Sequence, residues 1–190
     1  MVNGDFHCSY NQLTSLKGCP RIVKEGFLCA NNKLTSLEFS PISVGYDFHC
    51  SNNQLTSLKG CPKTIESDFS CGYNKLKTLE FGPELIKGDL YCSGNNLKDL
   101  KNFHRILGKI NLQNNPINQL LIFLNDYLEH YENAIKVQKL KKYIEYLNEY
   151  DVIKGNNIYL DRLKDVFYIM DMNDFDYDYL LDIKGYNIVS

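Results

Sequence analysis

The feature that most constrains this chain is a five-residue motif that occurs six times within its first 120 positions. An apolar residue is followed two positions later by Cys, a further three positions later by Asn, and then by two leucines; the sixth copy has Leu112 in place of Cys and Ile117 in place of the first leucine. Successive copies start 21 residues apart, except for a last step of 20. A fixed period in this range predicts a solenoid, in which each turn packs on its neighbours. The copies begin at Phe6, Phe27, Phe48, Phe69, Leu90 and Ile110.

The first part of each copy has the pattern of a short strand with one buried face. In the first copy, Phe6 and Cys8 alternate with polar residues, and a period of two is typical of a half-buried strand. We expect the strands of successive turns to pair in parallel, so that equivalent side chains form columns. A column here means the residues that occupy the same slot in successive turns.

The Asn slot predicts the bend after each strand, because an Asn side chain at a bend can hydrogen-bond nearby backbone. We expect each Asn to bond its own turn and the next one. On the returning side, Ile22 and Val23 are expected to complete the core where Lys24 replaces an apolar residue. Prolines keep this segment extended rather than helical. They are Pro20, Pro41, Pro62 and Pro83.

The register resembles the leucine-rich repeat pattern L-x-x-L-x-L-x-x-N-x-L, with Phe6 and Cys8 in apolar slots and Asn11 in the Asn slot. With its prolines, the chain is most similar to the short repeats of small bacterial and phage proteins and of secreted bacterial effector ligases. The resemblance covers residues 3–120. It implies an α/β repeat fold, a leucine-rich repeat solenoid of six turns with parallel β-strands on its concave face.

A second period of 42 residues is superimposed on the 21-residue repeat. Lys17-Gly18-Cys19 recurs 42 residues later as Lys59-Gly60-Cys61, and the copies between carry Glu38-Phe39 and Glu80-Phe81 instead. The alternation suggests growth by duplication of a pair of repeats. The charges are also expected to form a ladder of weak exposed ion pairs between neighbouring turns.

The periodicity changes after Leu120, which predicts a solenoid over residues 1–120 and a mainly α-helical C-terminal segment over 121–190. Helical spacing of apolar residues predicts two helices between Leu120 and Leu147. A third helix is predicted from an Asp161 cap to Met170. The remaining expectations are a turn at 154–157, a short helix near position 174, and a strand or loose tail at 186–189.

Two roles for the C-terminal segment stay open. A solenoid needs its open end covered, so capping is the simpler role. The segment also holds ten of the chain's fourteen tyrosines, which favours a second binding surface or a dimer contact.

Composition excludes several classes of function. A net charge of −2 does not favour nucleic-acid binding, and no apolar run is long enough to span a bilayer. The N-terminus lacks the pattern of a signal peptide. We therefore expect a cytoplasmic protein with neither a nucleic-acid nor a membrane partner.

The seven cysteines predict neither disulfides nor a zinc site. Five lie in one inward column, where Cys acts as a small apolar residue, and there is no C-x-x-C pair. Cys19 and Cys61 lie about 10 Å apart by strand spacing, which is too far for a bridge. The pairs of His7 with Asp5 and of His49 with Asp47 are similarly separated, so no shared metal site is expected. We predict reduced thiols and no cofactor.

The outward slots of the strands form the predicted binding face. They combine an acidic strip with histidines and tyrosines, and Tyr is a favoured contact residue. The alternative is an ordinary solvated face, since polar residues must alternate with the core. If the face binds, charge reversal at Asp47 and Asp68 is expected to abolish capture without changing the melting temperature. The predicted partner-binding residues are Asp5, His7, Tyr10, Asp47, His49, Asp68, Tyr73, Asp89 and Tyr91.

No enzymatic activity is expected. The resembling effector ligases carry a nucleophilic Cys in a C-terminal helical domain, whereas the last Cys here is Cys92, inside the repeat. We predict a non-catalytic protein–protein interaction module, a viral or bacterial inhibitor that blocks a host or defence factor. The alternative is a structural protein that forms homodimers or larger homo-oligomers through its C-terminal helices.

Overall fold

A computed structural model of the chain describes residues 1–98, 105–117, 142, 146–147, 149–154, 156–170 and 186–189. The chain forms two compact units. The first comprises Met1–Leu97 and Lys101–Asn115, and the second comprises Lys98–Leu100 and Pro116–Ser190. The predicted boundary at residue 120 lies outside the described residues.

The first unit is a parallel-strand solenoid of about five turns with a spacing of about 21 residues. One short strand from each copy of the motif enters a six-stranded parallel sheet in chain order. Equivalent residues pair directly, as Phe27 does with Phe48, so the predicted columns are confirmed. The strands are β1 (Phe6–His7), β3 (Phe27–Leu28), β5 (Phe48–His49), β7 (Phe69–Ser70), β9 (Leu90–Tyr91) and β11 (Ile110–Asn111).

The returning side of each turn is extended, as the prolines predict, and carries a second set of short parallel strands. The second residue of these strands faces the core: Val23 is 1% exposed, whereas Ile22 is 39% exposed. The prediction that Ile22 completes the core was therefore wrong, because alternation in the strand leaves only one of the two residues inward. The strands are β2 (Ile22–Val23) with β4 (Ser43–Val44), and β6 (Thr64–Ile65), β8 (Leu85–Ile86) and β10 (Arg105–Ile106).

The solenoid core consists of stacked columns of like side chains. The rings of Phe6, Phe27, Phe48 and Phe69 follow one another with centroids 5.2–5.8 Å apart. The Cys column beside them is buried from the second copy onward, whereas Cys8 is partly exposed. All seven cysteines are free thiols. From the first to the fourth copy, the core therefore stacks one phenylalanine ring on the next.

The second unit contains a small mixed sheet and one described helix. Strand β12 (Ile153–Lys154) pairs antiparallel with β13 (Asn157–Tyr159), and β14 (Asn187–Val189) pairs parallel with β13. The strand alternative for the last residues is thus confirmed. Helix α1 (Leu160–Ile169) follows β13 directly.

Helix α1 buries the side chains of Leu163, Val166 and Phe167, as the spacing predicts. Its N-cap was predicted wrongly. The cap is Tyr159, which makes no side-chain capping hydrogen bond, and Asp161 lies in the first turn, where its charge favours the helix dipole. The other predicted helices fall largely outside the described residues. No helix of the described part is long and apolar enough to cross a lipid bilayer.

Candidate partner-binding face

We define the strand face as the outward surface of the six-stranded sheet, including the residue before each strand and the bend after it. The parallel register brings Asp47, Asp68 and Asp89 onto successive turns. His49 and Tyr91 lie on the outward side of their strands. His49 is partly exposed, and Tyr91 is exposed. Three further predicted residues belong to the first turn, where all are exposed: Asp5, His7 and Tyr10.

The aspartates of the strand face have a structural role that the sequence reasoning missed. Asp47 Oδ1 accepts a hydrogen bond from the backbone N–H of Asp68 at 3.0 Å. Asp68 Oδ1 accepts one from Asp89 at 2.8 Å, and Asp89 Oδ1 accepts one from Lys109 at 2.7 Å. Asp5 accepts in the same way from Gly26 at 2.7 Å. Each carboxylate therefore ties its turn to the next one.

This ladder changes one sequence-based expectation. Charge reversal at Asp47 or Asp68 removes a charge-assisted hydrogen bond to the backbone, so it must also affect stability. The structure therefore replaces the expectation of an unchanged melting temperature with the expectation of a lower one. The signal was present in the sequence, because Asp recurs one residue before the apolar slot in four of the six copies.

The second carboxylate oxygen of these residues remains on the strand face. Asp89 Oδ2 accepts a hydrogen bond from the Tyr91 hydroxyl at 3.0 Å, and Asp47 Oδ2 lies 3.9 Å from His49 Nε2. The hydrogen bond to Asp89, together with the charges of Asp89, Asp68 and Asp47, raises the pKa of Tyr91. The face therefore carries a carboxylate on each of three successive turns.

The bend column of the strand face has left-handed backbone in all six copies. Four of its members are Asn or Gly, the residues that adopt this conformation most easily. The other two are Tyr10 and Tyr73, with φ of 59° and 53°. Their side chains are 80% and 56% exposed. The column is Tyr10, Asn31, Asn52, Tyr73, Gly94 and Asn114.

Space around one of these tyrosines is provided by the next turn. A Cβ atom at Gly94 would lie 2.6 Å from Cδ1 of Tyr73. The absence of a side chain at Gly94 therefore leaves room for the Tyr73 ring beside the next turn, while much of the ring stays open to solvent.

Behind the face, the Asn column holds neighbouring turns together. Asn53 is 8% exposed. Its amide nitrogen donates to the carbonyls of Cys29, Cys50 and Ser51 at 3.1–3.3 Å, and its oxygen accepts from the Leu34 N–H at 3.0 Å. The predicted bond to the next turn was wrong in direction, because the partners of Asn53 outside its own turn belong to the preceding turn.

The thiols are poor nucleophiles in this environment. Burial raises the pKa of Cys92 to about 12 and raises those of Cys29, Cys50 and Cys71 well above the usual value. Burial, with Cys19 alongside, raises the pKa of Cys8 to about 11. Cys19 lies close enough to Cys8 to contribute to this raised pKa, a proximity that strand spacing alone did not predict.

Within the described ranges, no group of three or more His, Cys, Asp or Glu side chains is arranged to hold a metal ion.

Comparisons of the chain with protein-family models, with curated proteins and with solved structures found no match. The functional interpretation therefore depends on the geometry of the strand face.

Proposed function

We propose that this protein is a non-catalytic binding module that holds a protein partner on its strand face. The observation that carries the proposal is the display of Tyr10 and Tyr73 on left-handed backbone. A bulky residue in this conformation costs free energy that Asn or Gly would save. Exposed, rigid tyrosines are typical anchors of protein interfaces, so a gain in binding offsets the cost in folding.

The chemistry of the partner follows from the charges beside these tyrosines. The carboxylates of Asp47, Asp68 and Asp89 form a row with about 4.8 Å between turns. Such a row complements a basic or polar protein surface and repels an acidic one. We therefore propose a partner with lysine or arginine side chains facing the row. That the partner is a host or defence factor stays a prediction.

The non-catalytic character is supported by the state of the cysteines. A thiol with a raised pKa is largely protonated at neutral pH, and the protonated thiol is not the nucleophile. The Cys column instead contributes small apolar side chains to the core, beside the stacked phenylalanine rings.

We further propose that the solenoid is of the leucine-rich repeat type, that it has six turns, and that residues 121–190 cover its last turn. The buried Asn column and the buried leucines support the repeat type. The sixth turn is supported by β11 and by Asn115, whose amide donates to the Cys92 carbonyl at 2.9 Å. Covering the last turn would remove its apolar side chains from water.

Assembly through the C-terminal segment is the second candidate function. It is favoured by Tyr168 and Ile169 at the end of α1, which are 76% and 44% exposed. Light scattering of the full chain, compared with a Tyr168→Ser/Ile169→Ser variant, tests it. A stable oligomer that this variant loses would favour assembly over partner binding.

The proposed function is tested with three baits in affinity capture from host extract, read out by mass spectrometry. The test variant is Asp47→Asn/Asp68→Asn, because Asn keeps an oxygen for the backbone hydrogen bonds and removes the charge. The matched control is Glu66→Gln/Glu84→Gln, which neutralises two exposed carboxylates that form ion pairs elsewhere on the solenoid. We expect a basic partner to bind the wild type and the control but not the test variant. Equal capture by all three baits would contradict the proposed site.

A further inference from the structure

A second surface of the solenoid is formed by pairs of residues in the turn after the last leucine of each of the first four copies; the corresponding pair of the fifth copy, Lys101–Asn102, lies outside the described residues. We define the turn edge as these four rows, and all eight residues are exposed. The second residue of every row has left-handed backbone, with φ between 63° and 97°. The rows are Lys17–Gly18, Glu38–Phe39, Lys59–Gly60 and Glu80–Phe81.

Two rows of the turn edge present phenylalanine where glycine would suffice. Phe39 and Phe81 have φ of 69° and 63° and are 63% and 57% exposed. Glycine occupies the same slot in the other two rows and adopts this conformation without steric cost. The chain therefore places two large apolar side chains in solvent on unfavourable backbone, which indicates that another surface covers them.

The order of the rows indicates which kind of surface is complementary to the turn edge. Along the edge the charge alternates from Lys to Glu, and the second residue alternates from Gly to Phe. A second copy turned end to end presents the same four rows in reverse order. Each row then meets its opposite: Phe39 faces Gly60 of the second copy, and Lys17 faces its Glu80. We propose that the turn edge docks on a second copy of the chain, antiparallel, about a two-fold axis between the second and third rows.

The spacing allows all four rows to meet at once. Row separation is set by the pitch of parallel strands, about 4.8 Å, and it is the same in both copies. Because the arrangement is two-fold, each contact is made twice and the assembly closes as a dimer. Docking two edges in parallel with the same rows aligned would instead oppose like charges.

The charges fix the register and the phenylalanines provide the driving force. Within one chain, Lys59 Nζ already lies 3.3 Å from Glu38 Oε1, and both side chains remain more than half exposed. Reversal adds the Lys59 and Glu38 of the second copy, which gives four alternating charges around the axis. Exposed ion pairs contribute little affinity but discriminate against wrong registers. Burial of two phenylalanines from each copy supplies the apolar area.

The residues four positions after the first residue of each row are also complementary when the rows are reversed. Arg21 and Glu84, both exposed, occupy this slot beside the first and fourth rows, so they meet as opposite charges. In the middle rows, Ile42, which is 61% exposed, faces Lys63, whose aliphatic stem can cover it. The interface is small, so we expect a dimer that dissociates on dilution.

The first test is sedimentation velocity of the full chain over a concentration series. The variant is Phe39→Gly/Phe81→Gly, which suits the left-handed backbone and is expected to fold. The matched control is Tyr73→Asn, which removes an exposed aromatic residue from left-handed backbone on the strand face. We expect the wild type and the control to dimerise and the glycine variant to remain monomeric. A monomeric wild type, or a dimer that persists in the glycine variant, would overturn the proposal.

The second test uses the charges to distinguish docking of two copies in the proposed register from non-specific association. Glu38→Lys/Glu80→Lys makes the turn edge wholly basic, and Lys17→Glu/Lys59→Glu makes it wholly acidic. Each variant alone is expected to dimerise at least about tenfold more weakly, and an equimolar mixture should recover the wild-type affinity as a heterodimer. If the mixture is no stronger than its components, the antiparallel register is wrong, and another occupant of the edge must be sought.

Discussion

Two polar columns flank the strands of the solenoid, and they bond in opposite directions along it: Asn follows all six strands, and Asp precedes four of them. From the second copy onward, the Asn column is buried and reaches back to the preceding turn, as Asn53 does. The Asp column precedes the strand, is partly exposed, and reaches forward to the next turn. Both ends of each buried Asn side chain are used by backbone, whereas each Asp keeps one oxygen on the surface. The first column therefore serves only the fold, and the second serves the fold and the strand face together.

The largest effect is expected from breaking the Asn column. Asn53→Ala should lower the free energy of unfolding by about 2–4 kcal/mol, because it leaves several buried backbone groups without a partner. Asn11→Ala is the control, since Asn11 is exposed and donates only within its own turn. Denaturant unfolding of both variants measures the difference. A loss at Asn53 below about half a kcal/mol would show that burial does not define this column.

Breaking the Asp column should cost less and should separate its two roles. Asp68→Ala removes the acceptor for the Asp89 N–H and is expected to lower the free energy of unfolding by about 1–2 kcal/mol. Asp68→Asn keeps an oxygen acceptor, so it should lose less stability while losing partner capture. Thermal unfolding and capture are measured on the same preparations. If the two variants lost equal stability, the carboxylate would act through its charge rather than through the hydrogen bond.

A smaller change of opposite sign is expected in the bend column between the two ladders. Tyr73→Asn relieves a bulky residue in left-handed backbone and should raise the free energy of unfolding by less than about 1 kcal/mol. The same variant should weaken partner capture. Unfolding curves and partner capture, measured on the same variant, distinguish a role in binding from a role in folding. A variant that is less stable but captures the partner fully would show that Tyr73 serves the fold.

The smallest expected effect is a shift in the titration of Tyr91. The Asp89 carboxylate raises the pKa of this phenol, because phenolate formation beside a negative charge is unfavourable. Asp89→Asn should therefore lower the pKa of Tyr91 toward its ordinary value of about 10. NMR of tyrosine-labelled protein, with Tyr91→Phe for assignment, measures the change. Asn53→Ala should leave this titration unchanged, since the Asn column carries no charge.

Much of the solenoid was predictable because its regularities are those of the repeat itself. The period gave the parallel register, the alternation gave the inward Phe and Cys columns, and the Asn slot gave the bend. The forward Asp ladder was missed because an aspartate on a strand face was interpreted only as a solvated charge. The left-handed tyrosines were missed because backbone dihedral angles at a bend depend on the turn and not on the residue alone.

The second unit was less predictable for a different physical reason. Helix α1 was found from its apolar spacing, but Tyr159 replaced Asp161 at the cap because β13 leads straight into the helix. Strands β12, β13 and β14 have only two or three residues each, too few for a period to be visible. Pairing over a separation of 30 residues, as between Asn157 and Asn187, leaves no local signal.

The alternation along the turn edge bears on how such a solenoid can lengthen. Any four neighbouring rows of an alternating series meet their opposites when the series is reversed, whichever row the block starts from. In the sequence, Lys101 continues the alternation one repeat further. A solenoid that lengthens by whole repeats therefore keeps a self-complementary edge for as long as the added rows continue the alternation, and each added row offers one more register in which two copies can dock.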